Sequence, residues 1–444
     1  MKKIKFLIIG SGPGGTTVLK TLLDNNIEDV GIIEEGDDSK DTVMGSFDDL
    51  INKYRYGGAD IIFSKPNIAY AEGKTLGGGS EINSGLYHRI PEQELSDWRS
   101  KYSIDDLEKS NLEEHYQFVE DWLNIKKSNQ EPSLISKKLI LGSEMKGLKS
   151  NEIPRWKSLK KTFYYQESDL NIIKKTKVLN FKKINNKFIV NCLDLENKET
   201  YKIEATYLIL SCGTFETHKL LTFSGYELRE NTFSIHPHIK VGAKFTDSIE
   251  DGEKVSPYQT KVPDYETSYG TSINSKQWKA LFLSENIRNF KNEISEIDKI
   301  GIFYSAIKPV GEGKINYSKF LKTNILSFKF SKEDINNLIY GVNLLIKLLN
   351  IAGAKSTYLP LNNNETLNHG NFKNLSIHTV HTFSSMKLGN NNSNCNSFGV
   401  LHGEPNILIS DASILPGPPG VNPQGPLMAL CRRNALNFIE RENL

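Results

Sequence analysis

The chain contains 444 residues, 38% of them hydrophobic, which is too long for one hydrophobic core and predicts two to three domains or a large two-domain enzyme. Its 55 lysines and arginines against 53 aspartates and glutamates leave a formal net charge of +2, so no overall field attracts nucleic acid or an anionic membrane. No apolar run reaches the roughly 18 residues of a transmembrane helix, and we therefore expect a small-molecule partner.

The N-terminal stretch MKKIKFLIIG has the basic head and apolar body of a signal peptide. The apolar part is too short, however, and it continues into GSGPGG without a small-residue cleavage site, so we interpret it as a buried strand. The four cysteines, Cys192, Cys212, Cys395 and Cys431, show neither CxxC spacing nor a metal-binding pattern. We therefore expect reduced thiols in a cytoplasmic protein.

The first segment, IKFLIIGSGPGGTTVLKTLL followed by VGIIEEG, predicts a strand, a glycine turn, a helix and a second strand. Gly10, Gly12 and Gly15 occupy the glycine positions of GxGxxG, and Gly14 lies in the same turn. Such glycines allow a tight turn, close approach of a pyrophosphate and close helix packing. Glu34 ends the second strand about twenty residues later, where a carboxylate accepts ribose hydroxyl protons. The unit predicts a dinucleotide site that fits NAD and FAD alike.

A second glycine loop lies in AEGKTLGGGSEINSGLYHR, where consecutive glycines can lie flat against a ligand and present N–H donors. This stretch resembles the first signature of the glucose-methanol-choline (GMC) family of FAD oxidoreductases. The matching residues are Gly73, Lys74, Leu76, Gly77, Gly78, Gly79, Ser80, Ile82, Asn83 and Tyr87. The resemblance implies that the loop, with Gly77, Gly78, Ser80 and Asn83, packs on the flavin and its diphosphate. Members with covalently attached flavin carry histidine where this chain has Ile82, so the resemblance implies noncovalent FAD.

The resemblance also implies a fold. We expect an α/β protein with a Rossmann-like FAD-binding domain, of the kind shared with p-hydroxybenzoate hydroxylase, and an α+β substrate domain built on an antiparallel sheet. The FAD-binding domain is expected to comprise residues 1–100, 166–225 and 376–444, the last of which carries the active site. Residues 101–165 are assigned to a substrate or cap segment, and residues 226–375 to the substrate-binding domain.

From Thr176 to Gly213, short alternating strands separated by Asn-rich turns predict a β-meander that returns to the nucleotide domain. The family resemblance implies that the backbone of Val178 meets the adenine. The following GTFETHKLLTFSG resembles the second family signature, with His218 in place of the usual proline or serine. It implies that Gly213 lies near the flavin.

Between Tyr226 and Leu375 the sequence carries few chemical signals. HPHIKVGAKF places His236 and His238 on one face of a predicted strand, a spacing that suits a metal ion. No third or fourth ligand clusters nearby in the sequence, so we expect no metal site there. Further on, INNLIYGVNLLIKLLNIAGAKS predicts an amphipathic helix that ends near Gly353.

Two histidines three positions apart, His378 and His381, lie in LSIHTVHTFSSMKLG. The β-branched residues favour a strand, in which positions three apart project to opposite faces, so that only one histidine faces the cofactor. A helix would instead place both on one face and suit HxxH metal binding. The string from His381 to Gly389 resembles the GMC active-site motif, with Thr382 and Ser384 where proline and glycine are common. It implies that His381 is the catalytic histidine and that His378 is packed or paired with a polar group.

The tail PNILISDASILPGPPGVNPQGPLMALCRRNALNFI predicts a strand, a Pro/Gly loop and a helix opened by Pro423 and Pro426. The strand delivers Asp411 and Ala412 to the cofactor, and the positive end of the helix would stabilise negative charge on a reduced flavin. The resemblance implies that Asn422 pairs with His381 above the flavin. Taken alone, Asn422 also fits a helix cap.

These residues predict an FAD-dependent alcohol oxidoreductase that oxidises a CH–OH group of an alcohol or sugar to a carbonyl. Neutral His381 would take the hydroxyl proton, Asn422 would hold the substrate oxygen and FAD would accept the hydride at N5. The alternatives are a lyase of the hydroxynitrile lyase type, in which flavin is bound but redox-silent, and a nucleotide-binding protein without catalysis. Oxygen, a quinone and other electron acceptors are all compatible with the sequence, which leaves oxidase and dehydrogenase open.

Overall fold

The computed structural model describes residues 1–38, 42–104, 106–128, 130–156, 171–262, 266–318, 320, 321, 323–359 and 366–442. Its strands, in chain order, are β1 (Lys2–Ile9), β2 (Val30–Ile33), β3 (Asp60–Ile62), β4 (Ile68–Tyr70), β5 (Ser150–Glu152), β6 (Asn171–Ile173), β7 (Thr176–Ile184), β8 (Lys187–Asp194), β9 (Thr200–Leu210), β10 (Thr232–Ile235), β11 (His238–Lys244), β12 (Tyr258–Val262), β13 (Thr267–Thr271), β14 (Ile300–Ile307), β15 (Glu312–Ser318), β16 (Thr323–Lys329), β17 (Ser356–Tyr358), β18 (Ile377–Thr379), β19 (Thr382–Phe383) and β20 (Ile407–Ile409). Its helices are α1 (Pro13–Asp24), α2 (Phe47–Lys53), α3 (Glu92–Tyr102), α4 (Lys109–Leu123), α5 (Leu134–Glu144), α6 (Thr214–Phe223), α7 (Lys276–Ser284), α8 (Ile287–Glu293), α9 (Lys332–Ile351) and α10 (Gln424–Arg441).

A seven-stranded sheet has the order β6-β2-β1-β9-β8-β7, with β20 paired to β9. Strand β1 runs parallel to β2 and β9, and β20 runs parallel to the last residues of β9. The run FLII in β1 is fully buried, as expected for a parallel strand covered on both faces. Because these four strands are parallel, their carboxyl ends deliver Gly10, Glu34, Gly213 and Asp411 to one edge of the sheet, where such folds bind nucleotides.

A nine-stranded sheet has the order β3-β4-β18-β11-β14-β13-β12-β5, with β17 paired to β11. Its central pairs, β11 with β14 and β14 with β13, are antiparallel. Helix α9 packs against β11, β13 and β14. This helix begins with a capping box, in which the Ser331 hydroxyl accepts from the Asp334 N–H at 3.0 Å and the Asp334 carboxylate accepts from the Ser331 N–H at 2.8 Å. It ends before Gly353, whose φ of +90° stops a helix, as the sequence predicts.

The third sheet has four strands in the order β16-β15-β10-β19. Two large groups of buried apolar side chains form the cores, one around the seven-stranded sheet and one around the nine-stranded sheet. This confirms the predicted α/β architecture with a Rossmann-like part and a largely antiparallel part. None of the helices described combines the length and the apolar character needed to cross a bilayer.

Three local predictions differ from the structure. The stretch LSIHTVHTF is not one strand, because β18 joins the nine-stranded sheet, β19 joins the four-stranded sheet, and His381 lies between them. His236 and His238 do not share a strand face, because β11 begins at His238. Strands β3 and β4, within residues 1–100, pair in the nine-stranded sheet, so this segment contributes to both halves of the molecule.

Candidate active site

One cavity of about 1020 Å³ lies between the carboxyl-end edge of the seven-stranded sheet and the nine-stranded sheet. This volume is at the upper end of the range for ligand and cofactor sites, roughly 300–1,000 Å³. The cavity borders most of the site residues predicted from the sequence, whereas Gly15, Gly77 and Ser80 belong to the same loops but do not line it. The predicted residues on the wall are Gly10, Gly12, Gly14, Glu34, Gly78, Asn83, Val178, Gly213, His381, Asp411, Ala412, Asn422 and Pro423.

The turn between β1 and α1 brings main chain, rather than side chains, to the cavity. Gly10 has a left-handed φ of +100°, and a Cβ on it would lie 2.2 Å from the Ser211 carbonyl oxygen. Gly14 allows close packing of α1, because its Cβ would lie 1.9 Å from the carbonyl oxygen of Ser410. Gly15 does the same, because its Cβ would lie 2.3 Å from a backbone oxygen of the turn itself. These three glycines therefore shape the turn.

Gly12 has a different role. A Cβ built on it meets no protein atom within 4 Å, so glycine is not required here for packing against the protein. The missing side chain instead leaves room in the cavity for a ligand. Gly12 is also the N-cap residue of α1, and no side chain caps this helix. The first N–H groups of α1 therefore lack a side-chain acceptor and suit an anionic group such as a diphosphate.

Ser11 lies in the first glycine loop and is hydrogen-bonded both to Glu34 and to the second glycine loop. The buried Glu34 carboxylate accepts from the Ser11 N–H at 3.0 Å, the Ser11 hydroxyl at 2.6 Å and the Gly36 N–H at 2.8 Å. Burial raises the pKa of Glu34, and these hydrogen bonds oppose the shift. The Ser11 hydroxyl also accepts from the Gly77 N–H at 3.0 Å, and Ser80 donates to the Gly77 carbonyl at 2.7 Å. This orders the second loop against the first.

The second loop also contacts the first turn and α10. A Cβ on Gly78, whose φ is +54°, would lie 3.0 Å from the Gly12 Cα, so the two backbones pack directly. The Asn83 amide donates to the Gln424 side-chain oxygen at 2.6 Å and accepts from the Gly85 N–H at 2.8 Å. Asn83 therefore fixes the loop to the start of α10.

Asp411 holds the end of β9 to the end of β20. Its buried carboxylate accepts from the Gly213 N–H at 3.0 Å, from the Ser413 N–H at 2.9 Å and from the Thr217 hydroxyl. Burial raises the pKa of Asp411, and the same hydrogen bonds oppose the shift. Gly213 takes a φ of +93°, which favours glycine, and Ala412 completes this part of the wall. The predicted pair of Asp411 and Ala412 thus reaches the cavity, with the carboxylate occupied by protein donors.

The strand that carries Val178 is irregular at that position. Val178 pairs with Cys192, but the next pair joins Asn180 to Asn191, so Leu179 has no partner on β8. A bulge of this kind disrupts the ladder locally and leaves backbone groups unpaired. The contact of the Val178 backbone with the adenine stays a prediction, and the bulge places irregular backbone at this position.

A charged cluster near this end of the cavity was not predicted from the sequence. Arg55 contacts Glu35 and Glu72, each at 3.0 Å, and Lys177 contacts Glu35 at 3.2 Å. Although burial opposes the shift, Arg55 and Lys177 lower the pKa of Glu35 to about 2. Burial raises the pKa of Glu72 to about 7 despite Arg55. Glu35 and Glu72 lie within the two quoted glycine-rich stretches, but no motif marks Arg55 or Lys177, which join them from other parts of the chain.

These observations fit the FAD implied by the sequence. The space at Gly12, the uncapped start of α1 and the close backbone of the second loop form a cradle for a diphosphate. Glu34 lies at the end of β2, the position of a ribose-binding carboxylate. We refer to Gly10, Gly12, Glu34 and Gly78 with their loops as the nucleotide cradle.

His381 lies at the other end of the cavity, next to His236. Their Nδ1 atoms are 3.3 Å apart, and their rings meet edge to face with centroids 5.5 Å apart. The Thr379 hydroxyl lies 3.0 and 2.9 Å from the carbonyl oxygens of His236 and His381 and fixes both backbones. Burial, with a contribution from nearby His88, lowers the pKa of His381 to about 4. His381 is therefore uncharged near neutral pH.

Asn422 lies on the same wall and is held by Gln259. The Gln259 amide donates to the Asn422 oxygen at 3.1 Å and to the Tyr304 hydroxyl at 3.0 Å. Pro423, and not Asn422, occupies the N-cap position of α10. Among the residues described, the side-chain partner of Asn422 is Gln259, and no hydrogen bond joins Asn422 to His381. No sequence motif marks Gln259 or Tyr304, because both reach the cavity through the register of β12 and β14.

His378 also borders the cavity, and the expectation that only His381 of the pair faces the cofactor stays a prediction. His378 lies opposite His238 in the β18–β11 pair, and their rings stack with centroids 5.8 Å apart. Its Nε2 lies 3.0 Å from the Ser376 hydroxyl, in agreement with the predicted polar pairing. In the described part of the chain, no group of three or more His, Cys, Asp or Glu side chains is arranged to hold a metal ion.

Comparison with known proteins identifies the family. Sequence models of GMC oxidoreductases match residues 4–162 and 310–431, more than half of the chain. The uncharacterised GMC-type oxidoreductase y4nJ of Sinorhizobium fredii is 27% identical over 482 residues, covering 98% of this chain and 95% of that protein. The long-chain-alcohol oxidase FAO4A of Arabidopsis thaliana is 20% identical over 504 residues, covering 98% of this chain and 68% of that protein.

The fold agrees with this assignment. Pyridoxine 4-oxidase from Mesorbium loti superposes with a TM-score of 0.78 at 12% identity, over 98% of this chain and 99% of that one. The family match covers both the nucleotide cradle and the segment that carries His381. The chain therefore belongs to the GMC oxidoreductases, a family of FAD-binding flavoproteins.

Proposed function

We propose that the protein oxidises a CH–OH group of an alcohol or sugar to a carbonyl, using noncovalently bound FAD. The observation that carries the proposal is that uncharged His381 and the amide of Asn422 border the same cavity as the nucleotide cradle. The names of two similar proteins, a long-chain-alcohol oxidase and a pyridoxine 4-oxidase, agree with it. Ile82, an aliphatic residue on the cavity wall, offers no atom for covalent attachment, which supports noncovalent binding.

In this proposal His381 takes the hydroxyl proton of the substrate. An alcohol is a weak acid, and loss of hydride from its carbon is easiest when the hydroxyl proton leaves to a positioned base. For the Nε2 atom of His381 to accept that proton, its Nδ1 carries the hydrogen and donates to His236 Nδ1, 3.3 Å away. Protonation of His381 strengthens this hydrogen bond, because its donor becomes charged. His236 thus acts as a positioning residue.

Asn422 holds the substrate oxygen. Because Gln259 donates to the Asn422 oxygen at 3.1 Å, the Asn422 NH₂ group remains available as a donor. Gln259 is itself placed by its hydrogen bond to Tyr304 at 3.0 Å. This chain of side chains orients the Asn422 donor before the substrate arrives, which lowers the cost of ordering it during the reaction.

FAD, when bound, supplies the hydride-accepting chemistry. The nucleotide cradle holds the cofactor through the N–H groups at the start of α1, and Gly12 leaves room for it. Pro423 places the N-terminus of α10 at the cavity, where the positive end of the helix stabilises negative charge. The protein thus contributes binding, orientation, a proton acceptor and a favourable electrostatic environment.

The proposal is tested by anaerobic stopped-flow measurement of flavin reduction with a panel of alcohols and sugars. In His381→Asn, we expect the limiting rate of reduction to fall by about 10²–10⁴-fold while FAD remains bound. His378→Asn is the comparison variant, because it changes the neighbouring cavity histidine, and its rate should fall far less. Near-normal reduction in His381→Asn together with collapse in His378→Asn would refute the assignment of the base. FAD binding without reduction by any compound would favour the lyase or the binding protein.

A further inference from the structure

A buried lysine in the cavity has no role in the proposed chemistry. Lys240 is 9% exposed and borders the cavity from β11. Lys240 and His238 lie on the same face of β11, because residues two apart in a strand share a face. Helix α7 covers this face, because a Cβ on Gly242 would lie 2.6 Å from the Phe282 ring. Lys240 therefore lies between β11 and α7, with its side chain on the cavity wall.

The ammonium of Lys240 is not neutralised by a close partner. Within the described ranges of the chain, no carboxylate lies within ion-pair distance of its Nζ and no hydrogen bond to it is present. Its Nζ lies over the face of Trp278, 5.2 Å from the ring centroid. Burying an ammonium without a charged partner is costly, and such groups are normally paired.

Among the described groups around Lys240, Glu285 supplies a negative charge that attracts the ammonium, but it makes no direct ion pair with it. His238 and His378 are uncharged, because burial lowers the pKa of His238 to about 3 and that of His378 well below its usual range. The Glu285 carboxylate lies 3.7 Å from His378 Nε2 and accepts a hydrogen bond from Ser376. Burial lowers the pKa of Lys240 and raises that of Glu285, and the attraction between the two groups opposes both shifts.

We infer that Lys240 binds the carboxylate of the substrate, so that the protein acts on a hydroxy acid. This inference rests on the proposed function. A carboxylate supplies the single negative charge and the acceptors that the ammonium lacks. A phosphate ester fits less well, because one ammonium balances one negative charge and Glu285, which also borders the cavity, adds no positive charge for a second.

In this proposal the two ends of the substrate bind at different side chains of the cavity. Lys240 lies four residues along the chain from His236, the neighbour of His381, which corresponds to at most roughly 14 Å of extended backbone. The hydroxyl group lies at His381 and the carboxylate at Lys240, so the carbon chain between them has to match the distance between these two side chains. Trp278, Leu281 and Phe282 line the cavity beside Lys240 and give those carbons an apolar wall. The carboxylate makes no covalent bond, and oxidation occurs at the distant carbinol carbon.

The test compares ω-hydroxy acids of increasing chain length with the 1-alkanols of the same length. For the holoenzyme, the Kd from anaerobic flavin reduction and the KM should favour the acid, with an optimum at an intermediate length. In Lys240→Met, binding of the acids should weaken by about ten- to a hundred-fold, the expected loss of a hydrogen bond between charged groups. The limiting rate of reduction and the Kd of the alcohols should change little. Lys261→Met is the matched control, because it removes an exposed lysine from the cavity margin and should leave the preference for acids intact.

Thermal unfolding without substrate provides an independent readout. Lys240→Met should be at least as stable as the wild type, because it replaces an unpaired buried ammonium by an apolar side chain of similar length. Equal affinity for acids and alcohols, or unchanged preference in Lys240→Met, would overturn the inference while the proposed function stands. Tighter binding of the corresponding ω-hydroxyalkyl phosphates would overturn the choice of carboxylate. If no alcohol of any kind reduces the flavin, the proposed function itself fails.

Discussion

Gly12→Ala should separate cofactor binding from folding. The backbone of Gly12 has φ −65° and ψ 179°, which alanine adopts without strain, and the new Cβ meets no protein atom within 4 Å. The apoprotein should therefore keep its stability to within about 0.5 kcal/mol. With the cradle filled by the diphosphate, however, the methyl group overpacks the site. Overpacking costs about 1–3 kcal/mol, which corresponds to roughly a 5- to 150-fold weaker affinity for FAD.

The assay is titration of each apoprotein with FAD, followed by quenching of flavin fluorescence, together with thermal unfolding. Gly370→Ala is the matched control, because Gly370 is exposed and lies outside the cavity wall. Gly14→Ala provides the opposite case: its Cβ would lie 1.9 Å from a backbone oxygen, so folding should fail before binding does. Wild-type affinity for FAD in Gly12→Ala, or a loss of several degrees in the Tm of its apoprotein, would refute this assignment of the cradle.

Two further predictions concern the other end of the cavity. His381 is active as the uncharged base, and burial lowers its pKa to about 4. The rate of flavin reduction, measured by stopped flow, should therefore stay level from neutral pH down to about pH 5 and fall only below it. A rate that falls already near pH 6.5, the usual pKa of histidine, would contradict the buried environment. Gln259→Leu removes the hydrogen-bond donor to Asn422 and Tyr304. The kcat should therefore drop by roughly ten-fold, while the affinity for FAD, measured by the same fluorescence titration, is retained. An unchanged kcat would show that Asn422 is positioned without Gln259.

The nucleotide half of the protein could be predicted from the sequence because its signals are local. The glycines between β1 and α1, the acid at the end of β2 and the strand before Asp411 each follow from a short motif, and parallel pairing then brings them to one edge. Helix α9 likewise follows from its own periodicity. Ser384, which stands where the family motif commonly has glycine, takes a left-handed φ of +70°. This backbone conformation favours glycine, which explains why glycine is common at the position.

The substrate half could not be predicted in the same way, because its contacts join distant parts of the chain. His236 meets His381 across 145 residues, and Gln259 meets Asn422 across 163. Such contacts depend on the register of antiparallel strands, in which a shift of one residue reverses the faces. The break between β18 and β19 is also a tertiary effect, since each strand joins a different sheet. Lys240 lies in the same segment, HPHIKVGAKF, as His236 and His238. Its burial could not be predicted from that segment, because it results from the packing of α7 over β11.

The central claim is that the cavity binds FAD and reduces it with an alcohol. The most direct measurement is the absorption spectrum of the purified protein, followed by anaerobic titration with alcohols, sugars and hydroxy acids. We predict a flavin spectrum whose visible band bleaches with one class of these compounds. A protein that binds FAD but is bleached by none of them would contradict the oxidation, and a protein that cannot take up FAD would contradict the account of the nucleotide cradle.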